Sequence, residues 1–108
     1  MQYEIELNNS LPNQTFTTNI TGVDMEITLK MAGDNENPIM FFALQINNEY
    51  VCPYVPVFAN QGILPYEYMT SEVGGQFFME TENEETPYWE NFGSTCRFYF
   101  VTLDELNG

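Results

Sequence analysis

No histidine occurs in this 108-residue chain, and only two basic residues, Lys30 and Arg97, stand against sixteen carboxylates, for a formal net charge of −14. Without an imidazole the chain lacks the side chain that most often serves as a general base near neutral pH. Without cations it has little to offer nucleic-acid phosphates or an anionic membrane, so no direct nucleic-acid binding and no membrane association are expected. Long apolar runs are missing too. The longest, Ile39 to Leu44, has six residues, far too few to span a bilayer. The opening MQYEIELNN has neither a basic region nor an apolar stretch of signal length, so the chain is expected to be unprocessed and made in a cytoplasm. Cysteine is scarce, and Cys52 and Cys96 are expected to be free thiols, as that compartment favours.

What is present points to a packed fold. Apolar residues make up 44% of the chain and aromatics 16%, well above a disordered composition. A chain of this length buries roughly 65% of its unfolded surface, enough for one core, and residues 1–108 are expected to form a single β domain.

Alternation organises most of the sequence. Tyr3, Ile5 and Leu7 alternate with Gln2, Glu4 and Glu6, and Phe16, Thr18 and Ile20 alternate with Thr17 and Asn19. Met25, Ile27, Leu29 and Met31 alternate with Asp24, Glu26, Thr28 and Lys30. This period of two marks half-buried strands. Thr21-Gly22 suits a tight hairpin, and AGDNENP and NNE read as turns, with Gly33 supplying positive φ and Asp34 and Asn35 capping their own backbone. IMFFALQI is apolar on both faces and is expected to be a central strand covered on both sides. YVCPYVPV is extended, but Pro53 and Pro56 cannot donate to a ladder, which places it at a sheet edge. QFFMET and TCRFYFVT complete the strands, and LDEL suits one helical turn, with Thr102 and Glu105 at capping-box spacing. Residues 58–75 show no period and form a long irregular segment too apolar for a free linker. The expected class is all-β: a small β-sandwich or partly closed barrel of about seven strands, without an amphipathic helix of useful length.

Little in the sequence carries chemistry. Ser10, Ser71 and Ser94 fall in expected turns with no triad logic around them, and Glu82, Glu84 and Glu85 crowd one solvated turn. Asp34 and Glu36 match only a fragment of a calcium loop. The chain is read as a non-enzyme, with no catalytic, cofactor or metal residues. Candidate partner contacts are the aromatics Tyr88, Trp89 and Phe92, the tyrosines Tyr66 and Tyr68, and Arg97. The aromatic trio suits either a lid on the core or a partner surface. Arg97 is expected to be held by a carboxylate, on a neighbouring strand or an adjacent subunit, through a two-point contact that lysine cannot copy.

Taken in order, LNNSLPNQTF, TGVDMEITLKM, the hydrophobic strand, the proline-bearing extended segment and TPYWENFGSTCRFYFVTLDEL make a recognisable series. The most specific parts are Pro12-Asn13-Gln14-Thr15-Phe16, the Asn91-Phe92-Gly93 bend and the acidic end Asp104-Glu105-Leu106. Over nearly its whole length the chain resembles the small baseplate plug proteins of contractile-tailed bacteriophages. It departs from them in having Ile39-Met40-Phe41-Phe42 where members often carry a tryptophan, and in having fewer basic residues. The resemblance implies a structural virion component of the tail baseplate, made and assembled in the host cytoplasm. It implies several copies about the tail axis, bracing or closing the central hub beneath the tail tube. Its partners would be other baseplate hub, spike or tail tube proteins. The alternative that charge alone suggests is a small acidic inhibitor mimicking DNA, but a mimic should space its carboxylates along one face. Here much of the acid stands singly in turns.

Overall fold

The computed structural model describes residues 2–20, 22–33 and 36–107. Seven strands run in chain order: β1 (Gln2–Ile5), β2 (Gln14–Asn19), β3 (Asp24–Gly33), β4 (Pro38–Ile46), β5 (Glu49–Pro56), β6 (Gly75–Thr81) and β7 (Cys96–Thr102). Two short helices, α1 (Glu67–Val73) and α2 (Leu103–Asn107), flank the β6–β7 part of the chain. The strands form two antiparallel sheets, ordered β1-β7-β6 and β2-β3-β4-β5. Of the two expected architectures the sandwich is therefore the one adopted.

The alternation seen in the sequence fixes which faces meet. Met25, Ile27 and Leu29 of β3 and Met40, Phe42 and Leu44 of β4 are buried from one sheet; Phe77 and Met79 of β6 and Phe98 and Phe100 of β7 are buried from the other. Phe42 joins the layers, its ring centroid 5.2 Å from Phe77 and 6.2 Å from Phe98. Aromatic pairs at such separations add attraction beyond the area they bury.

The turns follow local chemistry. Asn47 and Asn48 both take positive φ, at 54° and 65°, and connect β4 to β5 in two residues, the handedness a tight hairpin needs. At the β2–β3 turn Gly22 has φ 82° and its N–H donates to Asn19 Oδ1, while Thr21 lies outside the described residues, as do Asp34 and Asn35 of the next turn. The PNQTF element is a latch. Asn8 N–H donates to Gln14 Oε1, Gln14 Nε2 donates back to Asn8 O, and Asn13 Oδ1 accepts from Met31 N–H.

The prolines set β5 as predicted: it is an edge strand, with register irregularities against β4 on either side of Leu44. Three expectations need correction. β4 is an inner strand, but its second face is only partly covered: Ala43 is buried and Phe41 half-buried, while Ile39 is exposed. The helices pack chiefly on β5, β6 and β7 instead, and among the described residues Ile39 on that face stays exposed. Ser71 lies in α1, not in a turn.

The third correction concerns residues 58–75, which are ordered by pairing rather than by period. Asn60 N–H donates to Met79 O and Ile63 N–H to Phe77 O, and Gly62 bridges Phe78, so the chain runs along the outer edge of β6 like an incomplete fourth strand. Side-chain amides complete the seam. Leu64 N–H donates to Gln76 Oε1, Gln76 Nε2 donates to Leu64 O, and Thr81 N–H donates to Asn60 Oδ1. α1 follows, burying only Met69 and Val73, and Gly74 ends it at φ 81° with its N–H on Thr70 O. Two inward positions in seven residues are too few to give a readable helical period.

Candidate partner interface

Both cysteines line the core as free thiols. Burial pushes each up to about 11, helped at Cys96 by the Glu85 carboxylate and opposed there by a hydrogen bond to the Tyr88 backbone. A thiol so placed stays protonated near neutral pH and is a poor nucleophile. Glu82, Glu84 and Glu85 are all exposed, on and beside a single 3-10 turn. Among the described residues no three of Asp, Glu and Cys gather in a way that could hold a metal ion, and no helix is long and apolar enough to cross a membrane.

The structure separates the candidate contact residues into two groups. Phe92 is 4% exposed and belongs to the core, held over it by the Gly93 bend, whose N–H donates to Cys96 O. Trp89 is half-buried and packs on the same core, with Tyr88 tilted against it at 5.9 Å. This trio is chiefly a lid. Only Tyr88 and Trp89 keep part of their surface outside. Tyr66 and Tyr68 are the opposite case, 59% and 63% exposed, with rings stacked at 5.8 Å and 9° at the start of α1. The pair is therefore exposed aromatic surface that the core does not use.

Arg97 lies on the outer face of β7, whose alternate residues Cys96, Phe98 and Phe100 point inward. Its partner is Glu4 of β1, 93 residues away in sequence, with Nη1 3.3 Å from Oε1 and 3.4 Å from Oε2. The pair is diagonal across the ladder, since Glu4 stands opposite Tyr99. Glu80 of β6 faces Arg97 directly in register. Burial, Glu4 and Glu80 push the Tyr99 hydroxyl upward, and Arg97 partly offsets them. A carboxylate partner on a neighbouring strand agrees with the sequence expectation. The two-point fork does not: a single guanidinium nitrogen makes both contacts, and both side chains are exposed, at 46% and 40%.

An exposed pair of this kind is worth about 0–1 kcal/mol, and one donor nitrogen can be replaced by an ammonium. Arg97→Lys is therefore expected to change unfolding free energy by less than about 0.5 kcal/mol in urea titrations. A loss above about 1.5 kcal/mol would show that Arg97 holds more than Glu4.

Sequence reasoning missed a second pair of tyrosines. Tyr50 and Tyr54 of β5 are 55% and 42% exposed, with centroids 6.4 Å apart. Lys30 reaches across the sheet from β3 to place Nζ 4.9 Å from the Tyr54 centroid, a cation–π contact. The bulged register of β5 hides these residues from any alternation count.

The fold is a small two-sheet β-sandwich with an acidic composition and two exposed tyrosine pairs. The match to known families gives that fold a place. Residues 2–104 match the family described as cyanophage baseplate Pam3 plug gp18, and the chain belongs to this family. No curated protein matches it. The family is a structural one, which makes the chain a structural component of a phage tail baseplate, associated with other baseplate components in the virion.

Proposed function

We propose that this protein braces or closes the central hub beneath the tail tube, with several copies set about the tail axis and no enzymatic activity of its own. The observation that carries this reading is the stacked, solvent-facing Tyr66–Tyr68 pair in a chain of the plug family. Large rigid aromatics lose little entropy on contact and anchor interfaces well. Tyr88, Trp89 and Arg97 would add contacts, with Phe92 buried in the core on which Trp89 packs. Hub, spike or tail tube proteins are the partners, met during assembly in the host cytoplasm. The acidic surface suits a part near the DNA path, since phosphates meet like charge and slide past.

The test is to tag the protein during infection, purify baseplates and image them by electron microscopy. It is expected to co-purify with hub and tail tube proteins and to occupy density on the tail axis. Recovery only from the soluble pool, or density at the baseplate periphery, would overturn the assignment.

A further inference from the structure

One concavity connects the two tyrosine pairs. It opens between α1 and β5, has a volume of about 280 Å³ and is lined by Ile46, Glu49, Tyr50, Val51, Tyr68 and Glu72 among others. Ile46 and Val51, half-buried against the core, are the aliphatic part of a lining that is otherwise polar or aromatic. Tyr50 and Tyr68, both more than half exposed, supply aromatic walls. Glu49 and Glu72 bring carboxylates to the rim, and neither has an ion-pair partner among the described residues. Tyr68 and Glu72 are one helical turn apart in α1, so they present to the same side. Its volume lies at the lower end of the range of about 300–1,000 Å³ typical of small-molecule sites, room for one long side chain.

We infer that this cleft seats an arginine side chain of another baseplate component. The inference rests on the plug role above and adds the place and chemistry of one contact. An aliphatic stem needs an apolar floor, a guanidinium stacks flat on aromatic faces, and its fork suits carboxylates at the rim. The chain already shows that its tyrosines take cations, in Lys30 over Tyr54 beside the cleft. The charge balance points to a foreign occupant. With two basic residues against sixteen carboxylates, a second copy would bring mainly like charge to the cleft. A partner with an exposed arginine answers both the shape and the charge of −14.

The probe is acetyl-Gly-Arg-Gly-amide, titrated into the full-length isotope-labelled protein and followed by NMR, with the lysine and citrulline peptides beside it. Shifts are expected to concentrate at 46–51 and 66–72, with arginine binding severalfold tighter than lysine and citrulline producing none. Tyr68→Ala is expected to weaken the arginine peptide about fivefold, the scale of one exposed cation–π contact, while Tyr68→Phe keeps it. Glu26→Gln, which removes a carboxylate outside the cleft, is expected to leave binding unchanged. Shifts spread evenly over the acidic surface, or equal binding by Tyr68→Ala, would overturn the inference. Baseplate purification separates the two proposals. If the parent is absent from baseplates, the plug role fails while the peptide titration still judges the cleft. If parent and Tyr50→Ala/Tyr68→Ala enter baseplates equally, the cleft is not the partner site.

Discussion

Replacing Phe77 by alanine is expected to lower stability by about 3–5 kcal/mol, the range for truncating a buried aromatic ring. Phe77 is fully buried on β6, faces Phe100 across the β6–β7 ladder, and has ring centroids at 4.9 Å from Phe100, 5.5 Å from Phe98 and 5.2 Å from Phe42. The first two neighbours belong to its own sheet and the third to the opposite one, so the ring ties both layers. Truncation removes the transfer free energy of the ring and leaves a cavity whose lining cannot collapse, because its neighbours are held in strands. Domains of this size have about 5–15 kcal/mol in total, so the variant would retain little reserve. Urea unfolding measures the loss directly, and the melting temperature should fall by more than about 10 °C. Phe78→Ala, at the next position but on the half-buried outer face, is the control and should cost much less. If both variants unfold like the parent, the two sheets do not share the core described.

Gln76→Ala is expected to cost about 2–3 kcal/mol and to loosen the segment that carries Tyr66 and Tyr68. The amide of Gln76 holds both polar groups of the Leu64 backbone, at 2.7 Å and 3.0 Å, and its oxygen also accepts from Phe77 N–H at 3.0 Å. Leu64 is 4% exposed, so alanine would strand part-buried backbone groups with little water to replace the lost partner. Gly62 shows how close the fit is: a Cβ there would meet Gln76 Nε2 at 2.8 Å. Hydrogen exchange separates this effect from a global one. Amides of 60–64 and of α1 should lose protection beyond what the drop in global stability explains. Gln76→Glu tests the chemistry further, since a carboxylate keeps the acceptor for Leu64 N–H but, when ionised, repels Leu64 O. Unchanged protection in Gln76→Ala would mean that Met69 and Val73 alone hold the segment in place.

Much of the fold was legible locally, and individual residues show why. In Asp24–Met31 every second residue is apolar, and burial follows that pattern through Leu29 because a strand alternates faces whatever it pairs with. Pro53 and Pro56 announced an edge because a missing N–H cannot serve an inner ladder. The connection Asn47-Asn48 was readable as a turn from its side chains alone. Part of the candidate interface was legible as composition: Tyr66 and Tyr68 stood out as aromatics outside any strand face. Their stacking, and the fate of Phe92 inside the core, were not legible, since a ring three residues from a tryptophan can turn either way.

The sequence by itself determined the all-β class, the edge position of β5 and the excess of carboxylates over cations. It did so because strand period, proline donors and net charge are properties of neighbouring residues or of simple sums. The tertiary structure alone decided that residues 60–64 run beside β6, that Gln76 and Asn60 clamp them, and that α1 meets β5 to bring Tyr68 alongside Tyr50. It alone chose Glu4 for Arg97 across 93 residues of chain. Each of these depends on which sheet edges come together when the two layers close over Phe42 and Phe77, and no local pattern encodes that choice.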